Sequence, residues 1–365
     1  MFHIALLGGL GVLGGATLAY RRKLKSLTGP DLSKYGGERP ADFDVDPQDK
    51  GLKKLNQYLI DNFITPAKAN STRMEKLATK REMFEQGGLE RSDPDVEYRA
   101  DTIEIDGETI SGSWTLAKGY EANKRLLYLH GGGGTVGSDV SHRPLTTNLA
   151  KRTKAAVFAP NYRLMPENPR RASIEDCRAA YRWICTNGPD GKAKAKSLAI
   201  AGDSAGGNLT LTTLNWLRKT DLALPNAVVA FSPSVDGTAS SASFKRNLDA
   251  DLMLKPMIEP LIKLPRLLLL STLKKMTGYA PTDIDVSPIH DDLSNLPPTL
   301  IQASTAEVLH DDAIRYANKL REAGSPVTLQ TWSEVPHVFQ MFDNYIASAS
   351  NALDKAAEFI NLHMK

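Results

Sequence analysis

Gly202-Asp203-Ser204-Ala205-Gly206 sets one hydroxyl between glycines, directly after the apolar run 197–201 and ahead of a helical stretch beginning near Gly207. A strand that turns at once into a helix is strained at its apex, and glycines flank the serine because a Cβ there would collide with the turn. The turn lifts the hydroxyl clear of the sheet and aims it at the positive end of the helix. A serine so placed can attack an acyl carbon once a base takes its proton.

His130 and the four glycines 131–134 follow another apolar run, 126–129. Attack on a carbonyl leaves negative charge on its oxygen, and backbone N–H groups meet that charge only where no side chains crowd the approach. The amides of Gly132 and Gly133 are the expected donors, with Ala205 completing the oxyanion hole from just after the serine. A phosphate loop would need Gly-Lys-Ser/Thr, and the nearest approach, Gly137-Ser138, lacks the lysine.

The base should be a histidine carboxyl-terminal to Ser204, and the candidates are His290, His310, His337 and His363. His337 stands in a Pro-His-Val-Phe turn beyond the strand-like run 327–332 and is the expected base. His363 lies in the tail. His290 and His310 each precede two aspartates, which read as loop or helix-start residues, do not have metal-ligand spacing, and are joined by no H-E-x-x-H. The acid that fixes the imidazole tautomer and stabilises the imidazolium should stand near the end of the run 299–303, where Glu307, Asp311 and Asp312 compete. Glu307 is nearest the strand end. Asp311 and Asp312 look like the first turn of a helix through residue 320, where a carboxylate is favourable without any catalytic duty.

The elements that must position these residues are short apolar runs at 125–129, 155–159, 198–201, 228–231 and 299–302, separated by helical stretches such as 174–185, 208–217 and 312–321. Buried strands alternating with helices predict an α/β protein with a mostly parallel central sheet flanked by helices on both faces. Alternation from Val96, through Ile103, Ile105, Ile110 and Trp114, predicts an antiparallel hairpin about Asp106-Gly107. Residues 51–87 read as helical. Residues 244–280 break the alternation with a helical period of apolar residues interrupted by Lys255, Lys263, Arg266, Lys274 and Lys275, as expected of a helical pair packed on the body or roofing the site.

In 365 residues the charges nearly cancel at +3 and the basic residues are scattered, which excludes a nucleic-acid binder. Cys177 and Cys185 lie about 12 Å apart along one predicted helix at ~1.5 Å per residue, so they cannot pair with each other, and two thiols without a disulfide framework suit a reducing compartment. Residues 2–20 are apolar, rich in glycine, and followed at once by Arg21, Arg22 and Lys23. A secretory signal carries its positive charge before the apolar run, so this segment reads as a membrane anchor, with the positive residues holding the rest on the cytoplasmic side. A packed terminal helix in a cytoplasmic protein is the alternative. Gly9, Gly11 and Gly14 also fit a dinucleotide fingerprint, but no second strand with its acid follows; the chain instead meets a charged, Gly- and Pro-containing stretch.

Taken together, His130 to Gly133, Asn161-Tyr162-Arg163-Leu164 with Pro166, Gly202 to Gly207 and Pro336 to Phe339 resemble the bacterial hormone-sensitive-lipase family of esterases, over about residues 95–360. The resemblance implies the α/β-hydrolase fold with an eight-stranded sheet and a helical cap, no metal or organic cofactor, and Ser204, Glu307 and His337 as catalytic residues. His130, Gly131, Asp203 and Tyr162 would support the motifs. The family acid, usually Asp, stands about thirty residues before the histidine, a register that falls on Glu307 and leaves Asp311 as the alternative. Gly134 departs from the pattern, in which an aromatic is common, and alters the acyl-side wall.

The expected organisation is an apolar segment at 1–25, a linker at 26–50, the amino-terminal part of the cap at 51–95, and a catalytic domain at 96–365 with a cap insertion at 244–280. The expected activity is that of a serine carboxylesterase on short- to medium-chain esters. The rival readings are a catalytically idle, membrane-tethered ligand-binding module on the same fold and a nucleotide-dependent oxidoreductase using Gly9–Gly14. The partner expected is a small ester substrate; the oligomeric state stays open, with a homodimer among the options.

Overall fold

The computed structural model describes residues 22–37, 39–64, 71–105 and 107–365. The apolar run 2–20, and with it the anchor and dinucleotide readings, lies outside the described residues.

The helices of eight or more residues, in chain order, are α1 (Lys50–Leu59), α2 (Arg73–Glu90), α3 (Arg143–Thr153), α4 (Arg170–Ile184), α5 (Ser204–Leu217), α6 (Lys255–Ile262), α7 (Arg266–Thr277), α8 (His310–Glu322) and α9 (Ala347–His363). The strands of the main sheet are β1 (Val96–Ile105), β2 (Glu108–Ala117), β3 (Glu121–Leu129), β4 (Ala155–Pro160), β5 (Ser197–Asp203), β6 (Ala227–Phe231), β7 (Thr299–Ser304) and β8 (Val327–Trp332). They are ordered β1-β2-β4-β3-β5-β6-β7-β8. The hairpin β1–β2 is antiparallel, as is β2 with β4, and every other pairing is parallel.

Alternation along the buried strands divides the core into two layers, because successive side chains point to opposite faces. Leu127, Leu129, Ile200 and Ala230 meet Cys177 and Tyr181 of α4, Leu211 and Leu214 of α5, and Tyr316 and Leu320 of α8. Leu126, Tyr128, Ala201 and Val229 meet Leu145 and Leu149 of α3 and Leu353 and Ile360 of α9. The register aligns Leu129 with Gly202 and Phe231 with Asp203, so the loops leaving β3, β5 and β6 emerge side by side at one edge. That carboxyl edge of a parallel sheet is where α/β folds hold ligands.

Residues 26–50, read from sequence as a linker, run against the body. Leu27, Leu32 and Tyr35 are buried. Phe43 bridges Trp332 of edge strand β8 and stacks on its ring at 4.6 Å. Single anchoring aromatics have no period, and sequence patterning therefore passes over such a strap. Beyond it, Asp49 caps α1 by accepting from the Leu52 amide at 2.8 Å. Leu52, Leu55 and Leu59 then bury one helix face on Trp332, Phe339 and Ile346, each contributing roughly 1.5–3 kcal/mol. Helix α2 begins in a capping box of Thr72 and Glu75 and comes closest to the body at Gly88, where a Cβ would stand 2.0 Å from the Val140 carbonyl oxygen.

Candidate active site

Ser204 opens α5 at the end of β5 with φ +52°, a left-handed conformation rare for a residue with a side chain. The neighbouring glycines explain how the turn is tolerated. A Cβ on Gly202 would lie 2.6 Å from the carbonyl oxygens of Leu129 and Gly206, and one on Gly206 would lie 2.0 Å from that of Leu129.

The Ser204 hydroxyl lies 2.9 Å from Nε2 of His337. On the other side of the ring, Nδ1 of His337 lies 2.7 Å from Oε2 of Glu307. Glu307 follows β7 and His337 follows β8, so strands β5, β7 and β8 deliver the three groups to one line. The Glu307 carboxylate also accepts the Ser304 amide at 3.2 Å, and Ser232 accepts the Val338 amide next to the histidine at 3.2 Å. Burial of His337 disfavours its charged form, but the hydrogen bond and charge of Glu307, with smaller help from Asp251 and Asp203, outweigh it and hold the imidazole above the ordinary histidine range.

Asp311 does not reach this line. Its carboxylate accepts from the Ser243 amide at 2.9 Å and pairs with Arg246 at 2.6 Å. Asp312 accepts from the amides of Val235 and Asp236 and from the Ser241 hydroxyl. Both stand in the first turn of α8, yet both clamp the segment 235–246 rather than cap their own helix. His310 places Nδ1 3.0 Å from the Ser304 carbonyl, and His290 lies 3.7 Å from Asp236.

The glycine loop turns beside Ser204 with φ +105° at Gly132, +62° at Gly133 and +68° at Gly134. Among the described residues the amides of Gly132, Gly133 and Ala205 meet no protein acceptor, which leaves them available to a carbonyl oxygen. The residues read as motif support hold this loop. Asp203 accepts from the Tyr128 hydroxyl at 2.7 Å and the Gly131 amide at 3.0 Å, so the residue preceding the nucleophile ties down the loop opposite. His130 stacks on Tyr162 at 4.1 Å, and the Tyr162 hydroxyl donates to its carbonyl at 2.6 Å. Burial, reinforced by His142, pushes the His130 imidazole down to about 3, so it is neutral at working pH and acts as scaffold.

A Cβ on Gly132 would stand 2.2 Å from the Val136 carbonyl oxygen in a backbone conformation L residues rarely adopt. Gly132→Ala is therefore expected to displace these amides and lower kcat by about a hundredfold, the cost of losing one oxyanion donor, with far-UV circular dichroism unchanged. Undiminished turnover would show that other donors serve the carbonyl oxygen.

Several contributors escape sequence reasoning. His142 stands 3.2 Å from the Gly131 amide and 3.5 Å from Asp203. Asp251 accepts the Val308 amide at 2.9 Å, while Asn247 donates to the carbonyls of Thr305 and Glu307 at 2.8 and 2.7 Å. All belong to loops or to the inserted segment, and only the fold brings them to the site. Helices α6 and α7 contribute Met257, Ile258, Leu261, Leu269 and Leu273 to a cavity of about 250 Å³ that opens on Ser204, Ala205 and Gly133. A second cavity, of about 290 Å³, lies between α1, α2 and residues 341–345.

A strand–serine–helix elbow beside a glycine loop, with histidine and carboxylate arriving from later strands, defines the α/β-hydrolase class. A family model described as alpha/beta hydrolase fold matches residues 126–341. An acetyl-hydrolase of Streptomyces hygroscopicus is 37% identical over 238 residues, 65% of this chain and 75% of that one. An esterase of Acinetobacter venetianus is 34% identical over the same shares of the two chains. Among solved structures, an esterase from the bacterial hormone-sensitive lipase family is 29% identical with a TM-score of 0.73, covering 87% of this chain and 99% of that one. The chain belongs to the α/β-hydrolase fold family, and within it to the bacterial hormone-sensitive-lipase esterases.

Proposed function

We infer that this protein is a serine carboxylesterase that hydrolyses carboxylic esters of short to medium acyl chain through an acyl-enzyme. The observation that carries the reading is the Ser204–His337–Glu307 line, with contacts of 2.9 and 2.7 Å. His337 takes the Ser204 proton as Oγ bonds to the ester carbon, and the amides of Gly132, Gly133 and Ala205 hold the resulting oxyanion. The imidazolium, stabilised by Glu307, returns the proton to the departing alcohol. Water then attacks the acyl carbon as His337 takes its proton, and the bond from that carbon to Oγ breaks as His337 returns the proton to Ser204 and the acid leaves. The relatives named acetyl-hydrolase and esterase support this substrate class. Turnover of p-nitrophenyl butyrate by the purified protein tests it, and its absence would favour the idle binding module.

We further propose that residues 2–20 tether the protein to a membrane with the catalytic domain on the cytoplasmic face, on the strength of the apolar run and the Arg21-Arg22-Lys23 that follows it. Among the described residues no helix is long and apolar enough to cross a membrane. Deleting residues 2–20, which spares the buried Leu27, is expected to move the protein from the membrane fraction to the soluble fraction with ester turnover unchanged. Full-length protein that fractionates as soluble without detergent would remove the tether.

A further inference from the structure

Arg170, at the start of α4, is 5% exposed and lines the cavity that opens on Ser204. Its Nη2 donates to Oδ1 of Asn208 at 2.7 Å. Among the described residues this is the one hydrogen bond its guanidinium makes, and no carboxylate pairs with it. The neighbouring acids are already engaged. Asp285 pairs with Arg178 and Asp176 with Arg163, while Asp236, also in the cavity wall, accepts from the amides and hydroxyls of Thr238 and Ser240. A guanidinium buried without a counter-ion is costly, and its desolvation opposes the charge. A fork of donors held beside a nucleophile is suited to a planar carboxylate.

Two features place this charge within reach of a substrate. Asn208 stands one helical turn beyond Ser204, where side chains share a face about 5–6 Å apart. Gly134, opposite, has no side chain, and a Cβ there would lie 3.6 Å from Nη1 of Arg170 and 3.2 Å from Met165. The glycine, which is not itself part of the cavity lining, leaves that side of the guanidinium uncrowded.

The cavity also has a side. The departing alcohol must lie at Nε2 of His337 to be protonated, and His337 is not among the residues that line this cavity. The group that enters it is therefore the acyl portion, which stays on Ser204. Its methylenes would lie along Ile258, Leu261 and Leu273, and its far end would meet Arg170.

Building on the esterase reading, we propose that Arg170 selects esters whose acyl chain ends in a carboxylate, the half-esters of short dicarboxylic acids. Ethyl hydrogen glutarate and ethyl pentanoate test this, since they match in acyl length and differ in a terminal carboxylate against a methyl group. The parent protein is expected to favour the glutarate half-ester at least tenfold in kcat/KM. Free glutarate is expected to inhibit pentanoate hydrolysis at concentrations at least tenfold below those at which pentanoate inhibits. Arg170→Gln, which keeps a donor for Asn208, is expected to lower the glutarate-to-pentanoate ratio at least tenfold, and Arg170→Lys to restore part of it. Preference for the pentanoate ester with no glutarate inhibition overturns the proposal while leaving the esterase reading intact. A ratio unchanged in a folded Arg170→Gln protein also overturns it. Failure to hydrolyse any ester removes the esterase reading, and this proposal with it. The inhibition measurement needs no variant, so the proposal stays testable should Arg170→Gln not fold.

Discussion

Ser204→Ala is expected to lower kcat on p-nitrophenyl butyrate by at least about a thousandfold, because the acyl-enzyme can no longer form. The protein should remain folded. Among the described residues the hydroxyl meets only Nε2 of His337, and the small alanine suits the same tight turn, although the positive φ of this position stays strained. Circular dichroism and thermal melting separate loss of chemistry from loss of fold. Residual activity would come from the oxyanion donors and binding alone. Activity within tenfold of the parent would mean that another nucleophile attacks the ester, and would falsify the role given to Ser204.

Glu307→Gln carries the second large effect. The substitution keeps the shape but removes the charge that stabilises the imidazolium and fixes its tautomer, so kcat should fall by roughly a thousandfold or more. The pH profile supplies an independent sign. His337 must be neutral to act as base, so activity fails as pH falls through its pKa. In the parent that value lies above the ordinary histidine range, because Glu307 outweighs burial. With glutamine the carboxylate contribution is gone and burial remains, so the acid limb of kcat/KM should move to lower pH. Asp311→Asn should leave both kcat and the limb near the parent, since that carboxylate is engaged by Ser243 and Arg246. A dead Asp311 variant beside an active Glu307 variant would reverse the assignment.

The parts of this architecture that were legible in sequence are those governed by local rules. Five apolar runs became parallel strands because they are short, apolar and separated by amphipathic helices, and the hairpin β1–β2 followed from alternation. The elbow and the glycine loop were visible because strained backbone demands glycine at fixed positions. The proximity of Glu307, His337 and Ser204 rests on the strand order, which no local pattern contains, and the choice of Glu307 over Asp311 came from its place at the strand end, supported by the register from resemblance. The reading of Asp311 and Asp312 as helix-start carboxylates located them in the first turn of α8 but not their partners, because segment 235–246 reaches them only through the fold. The strap at 26–50, His142 behind the glycine loop and the uncompensated Arg170 were invisible for the same reason: each depends on one contact between distant segments rather than on a period.

Asn247 and Asp251 stand at the root of the inserted segment, yet they hold the backbone on both sides of Glu307. The insertion is therefore two objects in one stretch of chain: a root belonging to the proton-transfer apparatus, and a distal pair of helices, α6 and α7, that shape the cavity. This division sets where the protein can be recombined. Grafts that exchange residues 255–277 with those of a relative should transplant substrate preference onto an intact reaction centre. Grafts that begin at residue 244 would cut the acid loop from its supports, and their inactivity would say nothing about the cavity they were built to compare.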